Sequence, residues 1–456
     1  MFTNLGRLLR PTIVVWSFLG FLLAAAALPA QTNHAPVVLI SIDGLKPEYV
    51  LEADAHGLKI PNLRRFLREG TYSTGVHGVV PTVTYPSHTT LVTGASPAKH
   101  GIYANNTFDP LRKNEDGWYW YAEDIKVPTL WDVAGAAHLA TSNVHWPVTV
   151  SARIDWNLPQ YWRAGTPDDR KLLRVLATPG LFDALEKELG PYADGIDESI
   201  TGDENRAKFA VRLIELKHAD FTTVYLTALD HEEHTTGPFS QESIATLERI
   251  DTALGSVLDA IQRTYDGRAV VCVVSDHGFV RTTKAFHLGV AFRKAGLIDV
   301  DAKDKITGWK AMIWGSGGSE VIVLKDKNDL ATKAKVSALL TKLAANPANG
   351  ISRIIGEDEL HSRGGFPDAQ FLVSLKPGFV TGERISGRLV TDAGIKGIHG
   401  YWPDFPEMYS SFFLMGPGVP AAHSVGAIDM RSIAPTLAQF LGVTLPAAEL
   451  PRLDMH

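Results

Sequence analysis

The sequence predicts an open, doubly wound α/β fold: a mostly parallel sheet with helices on both faces. Three observations carry this reading. Short β-branched runs are apolar at nearly every position, amphipathic stretches alternate with them, and each run ends on polar residues. Residues 37–42, "VVLISI", are the first run; a strand exposed on one face would alternate apolar and polar, so an unbroken run implies burial on both faces. Next, "YSTGVHGVV" (72–80) reads as β-rich and leads into "PTVTYPSHTT" (81–90), which has the form of a strand end, a turn and a helix start. Residues 221–229, "FTTVYLTAL", and 269–275, "AVVCVVS", repeat the first pattern. Between them lies the clearest helix, 240–265, in which Ile244, Leu247, Ile250, Leu254, Val257 and Ile261 recur at spacings of three and four.

Two stretches fit the alternation poorly and are expected to be insertions. Residues 105–200 are rich in aromatics ("GWYWYAED", "DWNLPQYWR"). Residues 297–390 hold the glycine-rich "GSGGS" and a separate helix, "DLATKAKVSALLTKLAAN", and are expected to form a small α+β cap on a catalytic domain made of 36–296 and 391–445. The sequence contains no internal repeat.

Composition narrows the class. A chain of 456 residues, 45% hydrophobic and 21% charged, can build a large core. Arg7 and Arg10 precede an uncharged run from Pro11 to Ala30 that ends in small residues, the pattern of a secretory signal peptide over 1–30. An uncleaved anchor is the alternative, because the run approaches spanning length. No later stretch is apolar enough to span, so no stable membrane span is expected after cleavage, and the protein is expected to be periplasmic or secreted. Cys272 is the single cysteine, so no intramolecular disulfide can form. Taking Arg7 and Arg10 from the 44 basic residues leaves 42 against 50 acidic ones, a net charge of −8 that argues against duplex nucleic acid as a partner.

In an open α/β sheet ligands bind at the carboxyl ends of the strands. Asp43, Asp230 and Asp276 each follow one of the three apolar runs. Singly each has a plain explanation as a turn residue or helix cap. Histidines accompany them: His234 lies four residues after Asp230 in "DHEEH", His277 follows Asp276 in "SDHG", and His399 stands in the glycine-flanked "GIHGYW". Carboxylates and imidazoles converging at strand ends suit zinc or a similar divalent ion. His231 is the rival to His234 but points elsewhere on a helix. His88, His100, His145 and His287 have no such carboxylate partner in sequence and are expected to be structural or exposed. A threonine hydroxyl is a poor nucleophile unless a base or metal activates it. Thr84 falls in the turn of "PTVTYPSHTT", whereas Thr89 and Thr90 fall inside the helix, where hydroxyls bond back to the preceding turn; helix capping is the bland alternative for Thr84.

Five motifs, "VVLISIDGLKPEYV", "PTVTYPSHTTLVTGASPAKHGIYANN", "YLTALDHEEHTTGP", "VVSDHGF" and "HGYWPDFPEMYSSFFLMGPG", make the chain resemble the nucleotide pyrophosphatase/phosphodiesterase branch of the alkaline phosphatase superfamily over most of 36–445. The resemblance implies an alkaline-phosphatase-like fold and two Zn²⁺. It makes Thr84 the covalent nucleophile, Asp43, Thr84, Asp276 and His277 the ligands of one zinc, and Asp230, His234 and His399 those of the other. Asn105 would hydrogen-bond a phosphoryl oxygen, with Asn106 the alternative if the alignment slips by one. Two in-line displacements at phosphorus through a phosphothreonine are implied, on a small phosphate ester or nucleotide. Two Zn²⁺ against three carboxylates and one alkoxide leave the site near neutral, which tolerates a monoanionic diester, whereas a dianionic monoester gains from an extra cation.

The chain departs from the family pattern in two places. "TYPSH" replaces the common "TFPNH", which puts Ser87 at the changed position and leaves Tyr85 to pack against a leaving group. "HWPVTVSARIDW" replaces a Trp-Pro-Gly turn, and its Arg153 is expected either to reach the phosphate and shift preference toward monoesters or to pair with Asp155 at the surface. Trp146 and Tyr161 are further candidates for the pocket wall. No carboxylate set plainly builds a third, magnesium, site. The competing readings are an exported phosphomonoesterase with the same nucleophile and metal pair, and a non-catalytic binding or scaffold protein.

Overall fold

The computed structural model describes residues 34–114, 117–162, 167–193 and 195–455. The signal-peptide reading of 1–30 falls outside the described residues. Strands are numbered β1 (Val37–Ile42), β2 (Thr71–Tyr72), β3 (Thr141–Val144), β4 (Trp156–Leu158), β5 (Phe221–Leu226), β6 (Val270–Val274), β7 (Ala311–Ser316), β8 (Ser319–Leu324), β9 (Ile351–Gly356), β10 (Ala369–Leu375), β11 (Phe412–Met415) and β12 (His423–Ser424). The helices that matter for function are α1 (Thr84–Thr93), α2 (Ile200–Lys217), α3 (Ala228–Thr236), α4 (Gln241–Tyr265) and α5 (Leu330–Ala344).

Eight strands form the central sheet in the order β12-β2-β11-β6-β1-β5-β3-β4. β1 lies parallel to both β5 and β6, and β3 is parallel to β4 and β5; β11 runs antiparallel to β6. Alternate residues of β1 feed two cores: Val38, Ile40 and Ile42 pack with Leu247, Ile250, Leu254 and Val257 of α4 on one face. Val37 and Leu39 pack with Leu91 and Val92 of α1 and with Leu437 on the other. Burial on both faces is why "VVLISI" reads as unbroken. Cys272 is one of these core residues, and burial alone raises its thiol pKa.

Helix α4 forms where its apolar spacing places it, capped by Ser240, whose Oγ accepts from the Ser243 N–H at 3.0 Å. The run 221–229 is not all strand: β5 stops at Leu226 and α3 begins at Ala228. The cause is Asp203 of α2, whose carboxylate accepts from the N–H groups of Thr227 and Ala228 at 3.0 and 2.8 Å and so starts a helix there. Asp230 therefore sits in the first turn of α3, just beyond the strand. The reading of 105–200 as an insertion also needs correction, since β3 and β4 complete one edge of the central sheet. They are short and carry Ser142 and Asn143, so no apolar run announces them. Among residues 297–390, β7, β8, β10 and β9 form an antiparallel four-stranded sheet, with α5 against β9.

Candidate active site

The register of the three central strands brings Asp43 and Asp276 to one edge of the sheet. Ile42 pairs with Leu226 and Ser41 with Val274, so the chain leaves β1, β5 and β6 at one level. Asp43 keeps this alignment by donating its N–H to Leu226 O at 2.9 Å. Asp276 Oδ1 accepts from Gly44 N–H at 3.3 Å, tying the ends of β1 and β6 together.

Three imidazoles face these carboxylates. His277 Nε2 lies 3.1 Å from Asp276 Oδ2, 3.3 Å from Asp43 Oδ1 and 4.0 Å from Asp230 Oδ1. His399 Nε2 lies 3.6 Å from Asp230 Oδ1, and His234 Nε2 is 3.3 Å from Asp230 Oδ2. Two groups result, Asp43–Asp276–His277 and Asp230–His277–His399, with all ligand atoms of each within 4.8 Å of one another. His277, assigned from sequence to one group, stands in both, and its ring stacks on that of His399 with centroids 3.7 Å apart. His234 joins through Asp230. His231 is not brought in: its ring contacts Glu198 at the surface.

The donor set fits divalent metal. Each of the three rings turns Nδ1 to a backbone carbonyl: His234 to Gly397 O at 3.0 Å, His277 to Gly278 O at 3.3 Å, His399 to Thr82 O at 3.3 Å. A carbonyl only accepts, so each Nδ1 carries a proton and each Nε2 faces the carboxylates. Asp43 Oδ1, Asp230 Oδ1 and Asp276 Oδ2, the oxygens that meet these nitrogens, find no hydrogen-bond donor. Buried lone pairs facing one another need a positive charge between them.

Proton affinities reflect the same crowding. Burial pushes the Asp43 carboxyl well above the usual range, and the charges of Asp276 and Asp230 add to it. Burial, then Asp230, raises Asp276 to about 7. Burial holds His277 well below the ordinary imidazole value and His399 at about 4. Burial also opposes charge on Asp230 and His234, but their mutual attraction prevails: Asp230 is lowered, with His399 and His277 helping, and His234 is raised to about 9.

Thr84 is the first residue of α1, following Val83 in extended conformation. Its Oγ1 lies 3.5 Å from His277 Nε2. The other hydroxyls are engaged or remote: Thr89 and Thr93 bond back to Tyr85 O and Thr89 O, Thr90 bonds to Ala95 O, and Thr82 to Tyr401 O. Ser87 is fully buried. Asn105 accepts from the Tyr85 N–H at 2.9 Å, beside Thr84, which leaves its NH₂ to donate. Asn106 instead accepts from Trp314 Nε1 at 3.3 Å.

Other assignments shift. Tyr85 is 1% exposed and packs edge-on against the more exposed Trp118, with ring centroids 5.3 Å apart, so it is a core residue. Arg153 is not brought to the cluster. It is exposed and precedes the amino end of β4, whereas the carboxylates gather at the carboxyl ends of its parallel neighbours. Nor does it claim Asp155, whose Oδ2 accepts from Thr141 N–H and Oγ1 at 2.8 and 3.0 Å. Trp146 and Tyr161 are core residues. His88 is structural, bonded to Thr84 O and Ser41 Oγ and lowered to about 3 by burial. His100 and His145 are buried, and His287 bonds to Thr391. Sequence reasoning missed Tyr225, whose hydroxyl donates to Asp43 Oδ2, and Tyr49, which donates to buried Glu233 at 2.7 Å; only their place inside the quoted motifs pointed to them.

Known proteins share both fold and sequence pattern. Human ectonucleotide pyrophosphatase/phosphodiesterase 5 superposes with a TM-score of 0.66 at 18% identity, covering 92% of this chain and 97% of that one. An inactive threonine-to-alanine variant of the murine protein, in complex with AMP, gives 0.65 at 19% identity over 92% and 96%. At this identity the likeness shows the fold, the mixed α/β, alkaline-phosphatase-like architecture. In sequence, ectonucleotide pyrophosphatase/phosphodiesterase family member 1 of Rattus norvegicus is 26% identical over 262 residues, 55% of this chain and 24% of its own length. Venom phosphodiesterase of Naja atra is 25% identical over 265 residues, 56% of this chain and 27% of its own. The match thus spans about a quarter of these relatives. The model of the type I phosphodiesterase/nucleotide pyrophosphatase family matches residues 37–402, and the chain belongs to that family.

Proposed function

We propose that the protein is a zinc-dependent phosphodiesterase or nucleotide pyrophosphatase that works through a phosphothreonine on Thr84. The observation that carries this is the position of the Thr84 hydroxyl, at a helix start and 3.5 Å from His277 Nε2, inside a cluster of carboxylate oxygens without donors. Asp43, Thr84, Asp276 and His277 would hold one Zn²⁺ and Asp230, His234 and His399 the second. Bound there, such ions lower the pKa of a hydroxyl and neutralise charge on the phosphoryl group.

The chain's own residues do the rest. Thr84 Oγ1 gives up its proton to solvent water and forms a bond to phosphorus while the bond to the leaving oxygen breaks and its electron pair departs with that oxygen. Asn105 donates from its NH₂ to a non-bridging oxygen, and the amino end of α1 favours the negative charge that gathers there. Water then attacks the phosphothreonine from the side the leaving group vacated, restoring the Thr84 hydroxyl and releasing the phosphate product. We read 36–296 and 391–445 as the catalytic domain and 297–390 as its inserted cap.

A diester or pyrophosphate substrate of nucleotide type is supported by the family and by the AMP complex of the murine neighbour. The distance of Arg153 from the cluster weighs against the monoesterase reading, since Arg153 was the cation offered for a dianionic ester. Export is supported by the leader-like 1–30 and by ecto- and venom enzymes among the relatives. No helix among the described residues is long and apolar enough to cross a membrane. The test is turnover of an aryl phosphodiester beside the matching monoester, with metal analysis. About two zinc per chain and diester preference are expected, with turnover falling at least about a thousandfold in Thr84→Ala while metal stays bound. Full activity in Thr84→Ala, or purified active protein free of metal, overturns the mechanism.

A further inference from the structure

The cap carries a buried acid that the mechanism does not use. Glu320 on β8 is 3% exposed, and its Oε2 has no hydrogen-bond partner. Burial alone raises its pKa to about 8, so it keeps its proton at neutral pH and can both give and accept a hydrogen bond. Across one strand pair Glu320 faces Gly315, which has no side chain, and across the other it faces the apolar Val373, so neither cross-strand neighbour offers the carboxyl a hydrogen bond. Glu320 lines a cavity of about 440 Å³, a volume that suits a small-molecule group.

Parts of that cavity's wall lie next in sequence to residues of the site. Asn106, next in sequence to Asn105, forms part of its wall, as do Gly317 and Ile398. Gly317 and Gly318 make the tight turn between β7 and β8, and this turn lies on the backbone of His399: Gly318 N–H donates to His399 O at 2.8 Å, and Ser319 Oγ to Gly400 O at 2.7 Å. The "GSGGS" segment needs its glycines for this approach, because a Cβ on Gly317 would fall 2.2 Å from His399 O and one on Gly318 2.3 Å from the Tyr401 ring. In-line attack puts the leaving oxygen opposite Thr84. In the ligand assignment proposed above, Thr84 goes with Asp43, Asp276 and His277, so the leaving oxygen falls toward the group that holds His399.

We propose that this cavity receives the leaving group of the substrate, and that Glu320 is a specificity residue that hydrogen-bonds a hydroxyl or amino group on it. This rests on the phosphodiesterase reading above. Such a carboxyl rejects a leaving group without a matching polar atom, because binding it would leave the acid buried and unpaired.

The test uses the full chain with zinc and two pairs of methyl aryl phosphates, the aryl group carrying hydroxymethyl or methyl at the para or the meta position. Within a pair the transferred group is shared, leaving-group basicity is nearly matched, and one hydroxyl differs. In at least one pair the hydroxymethyl ester should be favoured about tenfold or more in kcat/KM, mainly through KM. Glu320→Gln should retain most of the preference and Glu320→Leu should bring the ratio near one, with melting temperature unchanged or higher. Hydrolysis of all esters with a ratio near one in the wild type, or a preference that survives in folded Glu320→Leu, overturns the assignment of the cavity alone. Hydrolysis of none removes the phosphodiesterase reading, and the leaving-group site with it.

Discussion

Measured against the metal-bound form, removing divalent ions should cost the folded protein progressively more stability as pH rises, because the cluster then depends on protons for its positive charge. In the metal-free site Asp276 keeps its proton to about pH 7, against 3.8 for a free side chain. A carboxyl with a raised folded-state pKa adds stability below its unfolded value and loses it as pH climbs through the folded one. At 1.36 kcal/mol per unit this amounts to about 4 kcal/mol between pH 3.8 and 7. His234 is raised from 6.5 to about 9, so its contribution, about 3 kcal/mol, is whole below pH 6.5 and gone above 9. Starting at pH 5, part of the first and all of the second are exposed, roughly 6 kcal/mol in total, equivalent to roughly 6 °C in Tm for a chain of this size. Bound ions take over the role of the protons and grow tighter with pH. Calorimetry of chelator-stripped and zinc-reloaded protein at pH 5, 7 and 9 isolates the effect, because the difference between the two forms cancels the titration of the rest of the molecule. The gap in Tm should widen with pH. A gap that stays constant or narrows would refute the picture of three carboxylates held together by positive charge.

The remaining predictions concern single residues. Gly318→Ala should lower bound zinc and Tm together, since the new methyl must displace the Tyr401 ring or the His399 backbone; a cost of about 1–3 kcal/mol is expected from such overpacking, read by metal analysis and denaturant unfolding. Asp203→Ala should cost about 3–5 kcal/mol in urea unfolding, because it removes the cap of α3 and the carboxylate paired with Arg206, both side chains being fully buried in the native pair. Arg153→Ala should leave kcat/KM for diester and monoester within about twofold, in keeping with an exposed residue away from the cluster; a selective loss on the monoester would return Arg153 to the site.

Patterns that repeat at short range were legible in the sequence. β1, β6 and α4 announce themselves because burial on two faces, or on one helical stripe, forces apolar residues at fixed spacing. Asp43, Asp276 and His277 could be picked out because they follow such strands directly, and the quoted motifs carried Thr84, Asp230, His234 and His399. Tertiary structure decided what depends on partners distant in the chain. Asp203, more than twenty residues upstream, ends β5 early and sets Asp230 on a helix, and no local signal in "FTTVYLTAL" foretells it. Arg153 and Asn105 look equally plausible as phosphate partners on paper, yet one precedes the amino end of an edge strand while the other accepts from the N–H next to Thr84. The glycines of "GSGGS" carry no such meaning in the sequence; only the folded chain sets them against the backbone of His399 and shows that their missing side chains are what let the β7–β8 turn reach it.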